Sequence, residues 1–505
     1  MAPLLANAPK SNRFQLSALI PLRLPSIVGD GAWVLAAKVI SQAVQLAAFI
    51  AAARLLSLEQ FGFYAYSSAI AILLVVCAEG GWGEFVMKTG AAGDELDQVA
   101  TLSVLSGTLA TTIGFGVAAV VAFPLHQVWE GTLIAFYSCW FLPSSLSTVY
   151  DGILVARGML RKQAFIRIVA EICGLLVTII GLWSGWNVMS LIAGRLAMQM
   201  TSLIITALVL RWRPKLYLTW PFMIEVLNFS RHILANRLIF FLRSYSGTLA
   251  LGSFLGLAEA GYYRAAERIV AAASELIGEP ARMLAWTVFR QAVAQSDTEN
   301  VAKNVGATAT TFMMLLMVIS APVYLGLALV STGLVDIALG DDWAPAAVLV
   351  AILAIKHVLV VPGLVTEPLL SLTGHIRKMP RAILLNGAVC IGLIVVLAPF
   401  GATATALGQC AAALVSFLIS IRLQRRYGGL AWNRVLTNCA YVAVAIAAMS
   451  ATVYLLGYVA EVSAMKRLSS IALQVVAGGA IYVGALLVLH RVNGGLIPIS
   501  VVSRN

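Results

Sequence analysis

The sequence predicts an all-α polytopic membrane protein. About fourteen transmembrane helices form two six-helix lobes, related as a parallel pseudo-repeat, with two extra helices at the C-terminal end. Three observations lead there. Mean hydropathy is +0.91 over 505 residues, with 60% hydrophobic and only 11% charged residues, outside the range of soluble globular chains. Apolar runs of roughly 20 residues recur along the chain, and they are continuous, which suits helices and not alternating barrel strands. Lys and Arg collect on one side when the runs are threaded back and forth.

The elements follow in order. Residues 1–31 carry Lys10, Arg13 and Arg23 ahead of a full-length apolar run, the pattern of a retained cytoplasmic segment and not of a cleaved signal. The first lobe, 32–210, has spans near 32–53, 63–83, 99–123, 131–153, 164–183 and 187–210. In span 1, "KVISQAVQ" places Lys38, Ser41, Gln42 and Gln45 on one helical face. Span 6 gathers Arg195, Gln199, Ser202 and Thr206 within about 60° of one another.

The second lobe, 211–422, has spans near 228–254, 261–289, 305–331, 344–371, 382–398 and 401–422. Span 7 aligns Asn236, Arg243 and Gly247, and span 10 aligns Lys356 with Glu367. Span 8, within "GYYRAAERIVAAASELIGEPAR", is the most charged. At about 100° per residue, Arg264, Arg268, Glu275, Glu279 and Arg282 share a stripe roughly 60° wide, and Glu267 alone lies off it. Pro280 removes a backbone donor inside this stripe and is expected to bend the helix. The remainder, 423–505, holds a basic, glycine-containing linker, spans near 436–459 and 468–489, and a cytoplasmic tail.

With the N-terminus inside and sides alternating, 22 basic residues of the connections fall on the cytoplasmic side, and Arg54, Lys466 and Arg467 on the other. The nine left over lie within or beside spans. A cation at membrane depth costs at least ~2.5 kcal/mol, so such residues turn toward protein or water. The basic seams of spans 1, 6, 7, 8 and 10 therefore point to one shared hydrated cavity. An internal ion-pair network that only braces the helices is the alternative. Arg231 and Arg237 lie near enough to the cytoplasmic end of span 7 to snorkel, and no role is assigned to them. His357, beside Lys356, suits packing or pore lining equally. The six cysteines, Cys77, Cys139, Cys173, Cys390, Cys410 and Cys439, lie inside spans without CxxC spacing and read as small packing residues, neither disulfides nor metal ligands. No histidine cluster marks a metal site.

Two segments repeat. "AARLLSLEQFGFYAYSSAI" (52–70) aligns without gaps to "LGSFLGLAEAGYYRAAERI" (251–269), matching Leu56, Leu58, Gly62, Tyr64 and Ile70 to Leu255, Leu257, Gly261, Tyr263 and Ile269. "GMLRK" (158–162) matches "GHIRK" (374–378). Both matches are displaced by six spans, an even number, so the halves share one orientation about an axis along the membrane normal, as in parallel-repeat transporters.

"ARLLSLEQFGFYAY", "LVARGMLRKQAFIRIVAEI" and "NRLIFFLRSYSGTLALGSFLGLAEAGYYRAAERI" resemble the polysaccharide transport family of the multidrug/oligosaccharidyl-lipid/polysaccharide flippase superfamily. The likeness covers most of the chain and is weakest in the last two spans. It implies a twelve- or fourteen-helix, two-lobed flippase of the bacterial inner membrane, with both termini cytoplasmic. Such a protein moves undecaprenyl-pyrophosphate-linked sugar units outward by alternating access. Lys38, Gln42, Gln45, Arg195, Arg243, Arg264, Arg268 and Lys356 would meet the anionic headgroup. The resemblance implies no cofactor, but a proton or sodium gradient, with Glu171, Glu267, Glu275, Glu279 and Glu367 as candidate coupling carboxylates. Related flippases with a sodium site use acidic residues in spans 7, 11 and 12, which here have none. Expected partners are the lipid-linked oligosaccharide, the bilayer, a polysaccharide polymerase and chain-length or export machinery, with no nucleic acid. A drug/cation antiporter of the same superfamily would favour an anionic cavity. A membrane glycosyltransferase or polymerase would need larger extramembrane loops, and no Walker motif is present.

Overall fold

The computed structural model describes residues 27–90, 92–124, 126–295, 301–463 and 465–492. Lys10, Arg13, Arg23 and Arg504 lie outside the described residues. The described residues are helical with no strand. In the first half of the chain these are α1 (Ile27–Leu55), α2 (Leu58–Glu79), α3 (Trp82–Thr89), α4 (Asp94–Ala122), α5 (Val128–Ser138), α6 (Phe141–Ala156), α7 (Leu160–Trp183) and α8 (Val188–Leu210). The second half has α9 (Trp220–Phe254), α10 (Leu257–Ala294), α11 (Val301–Leu329), α12 (Ser331–Ala338), α13 (Ala344–Val360), α14 (Gly363–Leu372), α15 (Met379–Leu397), α16 (Ala402–Tyr427), α17 (Trp432–Val462) and α18 (Arg467–Val492).

Among the described residues, twelve helices, counting contiguous pairs such as α2 with α3, are long and apolar enough to cross a membrane. The expected spans 7 and 8 are not among the twelve. They correspond to α9 and α10, of 35 and 38 residues, whose repeated charges lower their hydropathy. Large apolar side chains such as Phe115, Ile180, Leu208, Phe240 and Phe400 cover the outer surface, where a bilayer and not water would receive them.

Several spans that read as continuous are broken. Span 2 divides into α2 and α3 at Gly80 and Gly81, both with left-handed backbone (φ 53° and 91°). Span 4 divides at Cys139 and Trp140 between α5 and α6. Span 10 divides at Val361 and Pro362, so the helical-wheel alignment of Lys356 with Glu367 does not survive: a proline turn resets the phase between α13 and α14. Conversely, α10 continues through Pro280 without a break. Cys77 and Cys139 are exposed on the outer surface and do not fill the interior.

The repeated segments meet each other. α2 starts with a capping box, in which Ser57 Oγ accepts from the Gln60 N–H and Gln60 Oε1 accepts from the Ser57 N–H. It then packs on α10 at the two matched glycines: a Cβ on Gly62 would lie 1.9 Å from the Leu257 carbonyl oxygen, and one on Gly261 would lie 3.3 Å from Gly62 Cα. Only hydrogen fits at Gly62. The second match also has a structural counterpart, since Gly158 and Gly374 are both left-handed (φ 69° and 78°).

The two halves also meet at their ends. At one end Trp343 donates from Nε1 to the Ala53 carbonyl (3.1 Å) and sits edge-on to Phe61 at 5.1 Å, while Arg54 donates to the carbonyls of Ile337 and Ala338. A buried cluster of Phe61, Leu251, Tyr263, Leu349 and Val350 lies beneath. The other end carries Lys88, Arg157, Arg161, Lys162, Arg211 and Arg213, and is called the basic end below.

Candidate functional site

Two cavities lie either side of α10. The first, about 300 Å³, is walled by α1, α2, α7 and α8, and Gln45, Glu171 and Arg195 reach it. The second, about 470 Å³, is walled by α9, α13, α15 and α16, and is reached by Arg243, Glu267, Glu275 and Lys356. Tyr245, Arg264 and Arg268 line both. The first two residues of the α10 stripe, Arg264 and Arg268, are thus the partition between the two chambers, which is why an apolar bundle tolerates them.

Arg268 is the junction. Its Nη2 donates to Gln45 Oε1 (2.8 Å) and more weakly to Gln42 Oε1 (3.4 Å). Each amide passes the polarity on: Gln45 Nε2 donates to Glu171 Oε1 (2.7 Å), and Gln42 Nε2 donates to Glu275. Ser41 Oγ also reaches Glu171 (3.4 Å), and Arg167 stands 3.9 Å from it. The one-face pattern Ser41-Gln42-Gln45 of α1 therefore does what its spacing suggests, with α10 and α7 as its partners. Arg268 and Glu275 are 3.9 Å apart.

Arg264 stacks its guanidinium over Tyr245 at 4.3 Å and pairs with Glu267 at 3.3 Å. Glu267, the one charge off the stripe, is thereby part of the site: three residues from Arg264, it reaches the second cavity from a neighbouring face. Arg195 lies over Trp140 at 4.5 Å, and its Nε is buried without a hydrogen-bond partner. Lys356 Nζ donates to Gln409 Oε1 at 2.6 Å. Among the described residues, no carboxylate lies within 4.0 Å of the Arg195, Arg243 or Lys356 cation. Bracing explains Arg264 and Arg268 in part, and Glu267 also lies within the field of Lys356, but bracing does not explain Arg195 or Arg243. A low-dielectric chamber with cations left over attracts anions.

Three expected site residues are not brought in. Lys38 and Glu279 face each other at 3.8 Å, and Glu279 also pairs with Arg282 at 2.9 Å, outside both cavities. Glu367 is exposed on α14. His357 lines the second cavity edge-on to Tyr324 at 5.5 Å. Sequence reasoning missed Tyr245 and Trp140, whose rings carry the two arginines, because an aromatic in an apolar run gives no sign of a cation above it. It also missed Arg237, set aside as a snorkelling residue, which instead bridges Glu79 and Glu84 at 2.9 and 2.6 Å.

The family described as polysaccharide biosynthesis protein matches residues 51–349. The chain belongs to that family. It is similar to the succinoglycan biosynthesis transport protein ExoT of Rhizobium meliloti (strain 1021), 23% identical over 361 residues, covering 68% of this chain and 69% of that one. Among solved structures, the lipid II flippase MurJ in an inward closed conformation superposes with a TM-score of 0.69 at 14% identity, over 90% of this chain and 98% of that one. An inward-facing MATE family multidrug resistance transporter of the MOP superfamily gives 0.59 at 15% identity, over 76% and 95%. At these identities the two structures show a shared fold. This member of the polysaccharide biosynthesis family carries, among its described residues, twelve helices long and apolar enough to cross a membrane.

Proposed function

We propose that the chain is a flippase that carries the anionic headgroup of an undecaprenyl-pyrophosphate-linked oligosaccharide across the bacterial inner membrane by alternating access. The observation that carries this reading is the pair of chambers joined at Arg264 and Arg268, with Arg195, Arg243 and Lys356 each more than 4.0 Å from any carboxylate of the described residues. Phosphate oxygens would take up those donors, arginine in a planar two-pronged contact and lysine as a point charge. The polyprenyl tail stays in the lipid while the headgroup crosses. A cationic drug would meet the wrong sign of charge in both chambers.

The two-lobe division at 210/211 is supported by the meeting of Gly62 with Gly261 and by the matched turns at Gly158 and Gly374. In this reading α9 and α10 complete fourteen crossings, and the basic end is cytoplasmic with both termini. A proton gradient drives the cycle through carboxylates that line the chambers, Glu171, Glu267 and Glu275. A polymerase and export machinery act on the product. Deletion of the gene tests the substrate class. Accumulated lipid-linked oligosaccharide with loss of the exported polysaccharide is expected; unchanged lipid-linked pools and unchanged polysaccharide would refute it.

A further inference from the structure

The stretch "AEGGWGEF" (78–85) places an acid on each side of two glycines. Gly80 and Gly81 both take the left-handed conformation, so α2 stops after Glu79 and α3 starts at Trp82 in a new direction. The elbow turns Glu79 and Glu84 toward one point. There Arg237 of α9 donates from Nη1 to Glu79 Oε2 (2.9 Å) and from Nη2 to Glu84 Oε1 (2.6 Å). Ser144 Oγ of α6 holds the other oxygen of Glu79 at 2.8 Å. α9 rests directly on the elbow: a Cβ on Gly81 would lie 3.1 Å from Ile233. Phe85 packs edge-on against Phe229, 5.4 Å between ring centres.

We propose that Arg237 with Glu79 and Glu84 is the latch that closes the basic end of the transport path. Its role rests on the alternating-access reading above. Arg237 belongs to the second half of the chain and both acids to the first, so the two bonds tie the halves together. The three side chains keep between 20% and 31% exposure, with Glu79 the most buried, so the contact parts only where water can follow it in. The far end is held differently, by Trp343 on Phe61 and by bonds to backbone carbonyls. The two ends therefore differ: the basic end adds an ion pair to the apolar packing of Phe222 and Phe229 on Phe85, and the far end has none at the corresponding contact among the described residues. Of the other charges near the latch, Lys88 lies over Phe229 at 4.6 Å, Asp97 accepts from the Lys215 backbone N–H at 3.2 Å, and Asp151 of α6 lies within the field of both Glu79 and Arg167.

Spin labels at Arg157→Cys and Arg425→Cys, with the six native cysteines replaced, report the width of the basic end in the full chain in nanodiscs. A second pair, Glu130→Cys and Asp342→Cys, reports the far end. Arg237→Gln is expected to shift the basic-end distances to longer values and to leave the far end unwidened. Arg237→Lys, which serves one carboxylate at a time, shifts them less. If Arg237→Gln does not accumulate, Glu84→Gln on the short α3 provides the same reading. Unchanged basic-end distances in whichever neutral variant accumulates overturn the latch. Export of polysaccharide by the unaltered chain in a deletion strain is read separately. Its failure removes the flippase reading, whereas its success with unmoved labels removes the latch alone.

Discussion

Arg268 shows how a single charge is kept in an apolar bundle. It never faces lipid: Gln45 and Gln42 supply acceptors, Glu275 lies opposite, and two chambers open beside it. Hydrogen bonds to a charged group contribute about 1.5–3 kcal/mol each, or roughly ten- to a hundredfold in headgroup affinity. Arg268→Gln should therefore lower export by about that factor at unchanged abundance, and Arg268→Lys should retain part of it. Export assays beside membrane immunoblots check both. A second expectation concerns coupling. Glu267→Gln or Glu275→Gln should slow export while the protein persists in the membrane; unchanged export in both and in the double variant removes them as proton carriers. At this scale the sequence was informative where spacing carried the signal, as in the Ser41-Gln42-Gln45 face and the α10 stripe. It was silent on Tyr245 and Trp140, because stacking depends on which helices adjoin.

Helices in this chain owe their positions to small residues as much as to large ones. The contact of α2 with α10 needs hydrogen at Gly62, since any side chain would run into the Leu257 carbonyl, which cannot swing away as a flexible chain end could. Gly62→Ala should cost about 1–3 kcal/mol or more and lower the melting temperature in detergent. Gly116, exposed on α4 with no heavy atom within 4 Å of where a methyl group would stand, provides the contrast: Gly116→Ala should be neutral or stabilising by about 0.5–1 kcal/mol. Equal melting shifts for the two would contradict the close-packing argument. The repeat that aligns Gly62 with Gly261 was legible from residue identity. The breaks at Gly80-Gly81 and at Pro362 were not, because hydropathy runs on undiminished across them and only backbone geometry divides the helices.

Across the whole molecule, the apolar runs of the sequence read as fourteen spans, whereas twelve of the described helices are long and apolar enough to cross a membrane, and α9 and α10 are left out. α9 and α10 carry Arg243, Arg264, Glu267, Arg268 and Glu275 of the chambers, and that cargo is what makes them too polar to count by composition. In the proposed reading both of them cross, which gives fourteen spans with the basic end cytoplasmic. Accessibility reporters at Arg161, Arg377 and Arg425 should then read cytoplasmic, and at Glu130 and Asp341 periplasmic; periplasmic labelling at Arg377 would break the fourteen-span order. The central claim is that the α10 arginines hold an anionic headgroup and do not merely brace the bundle. The most direct measurement compares membrane abundance with polysaccharide export for Arg264→Gln, Glu267→Gln and the two combined. Leaving one member of a buried pair alone costs roughly 3–5 kcal/mol, so a pure brace should misassemble in either single variant and recover in the double. A headgroup site predicts normal abundance and failed export in Arg264→Gln, with no rescue in the double variant. Low abundance restored, together with export, by the combined change would contradict it.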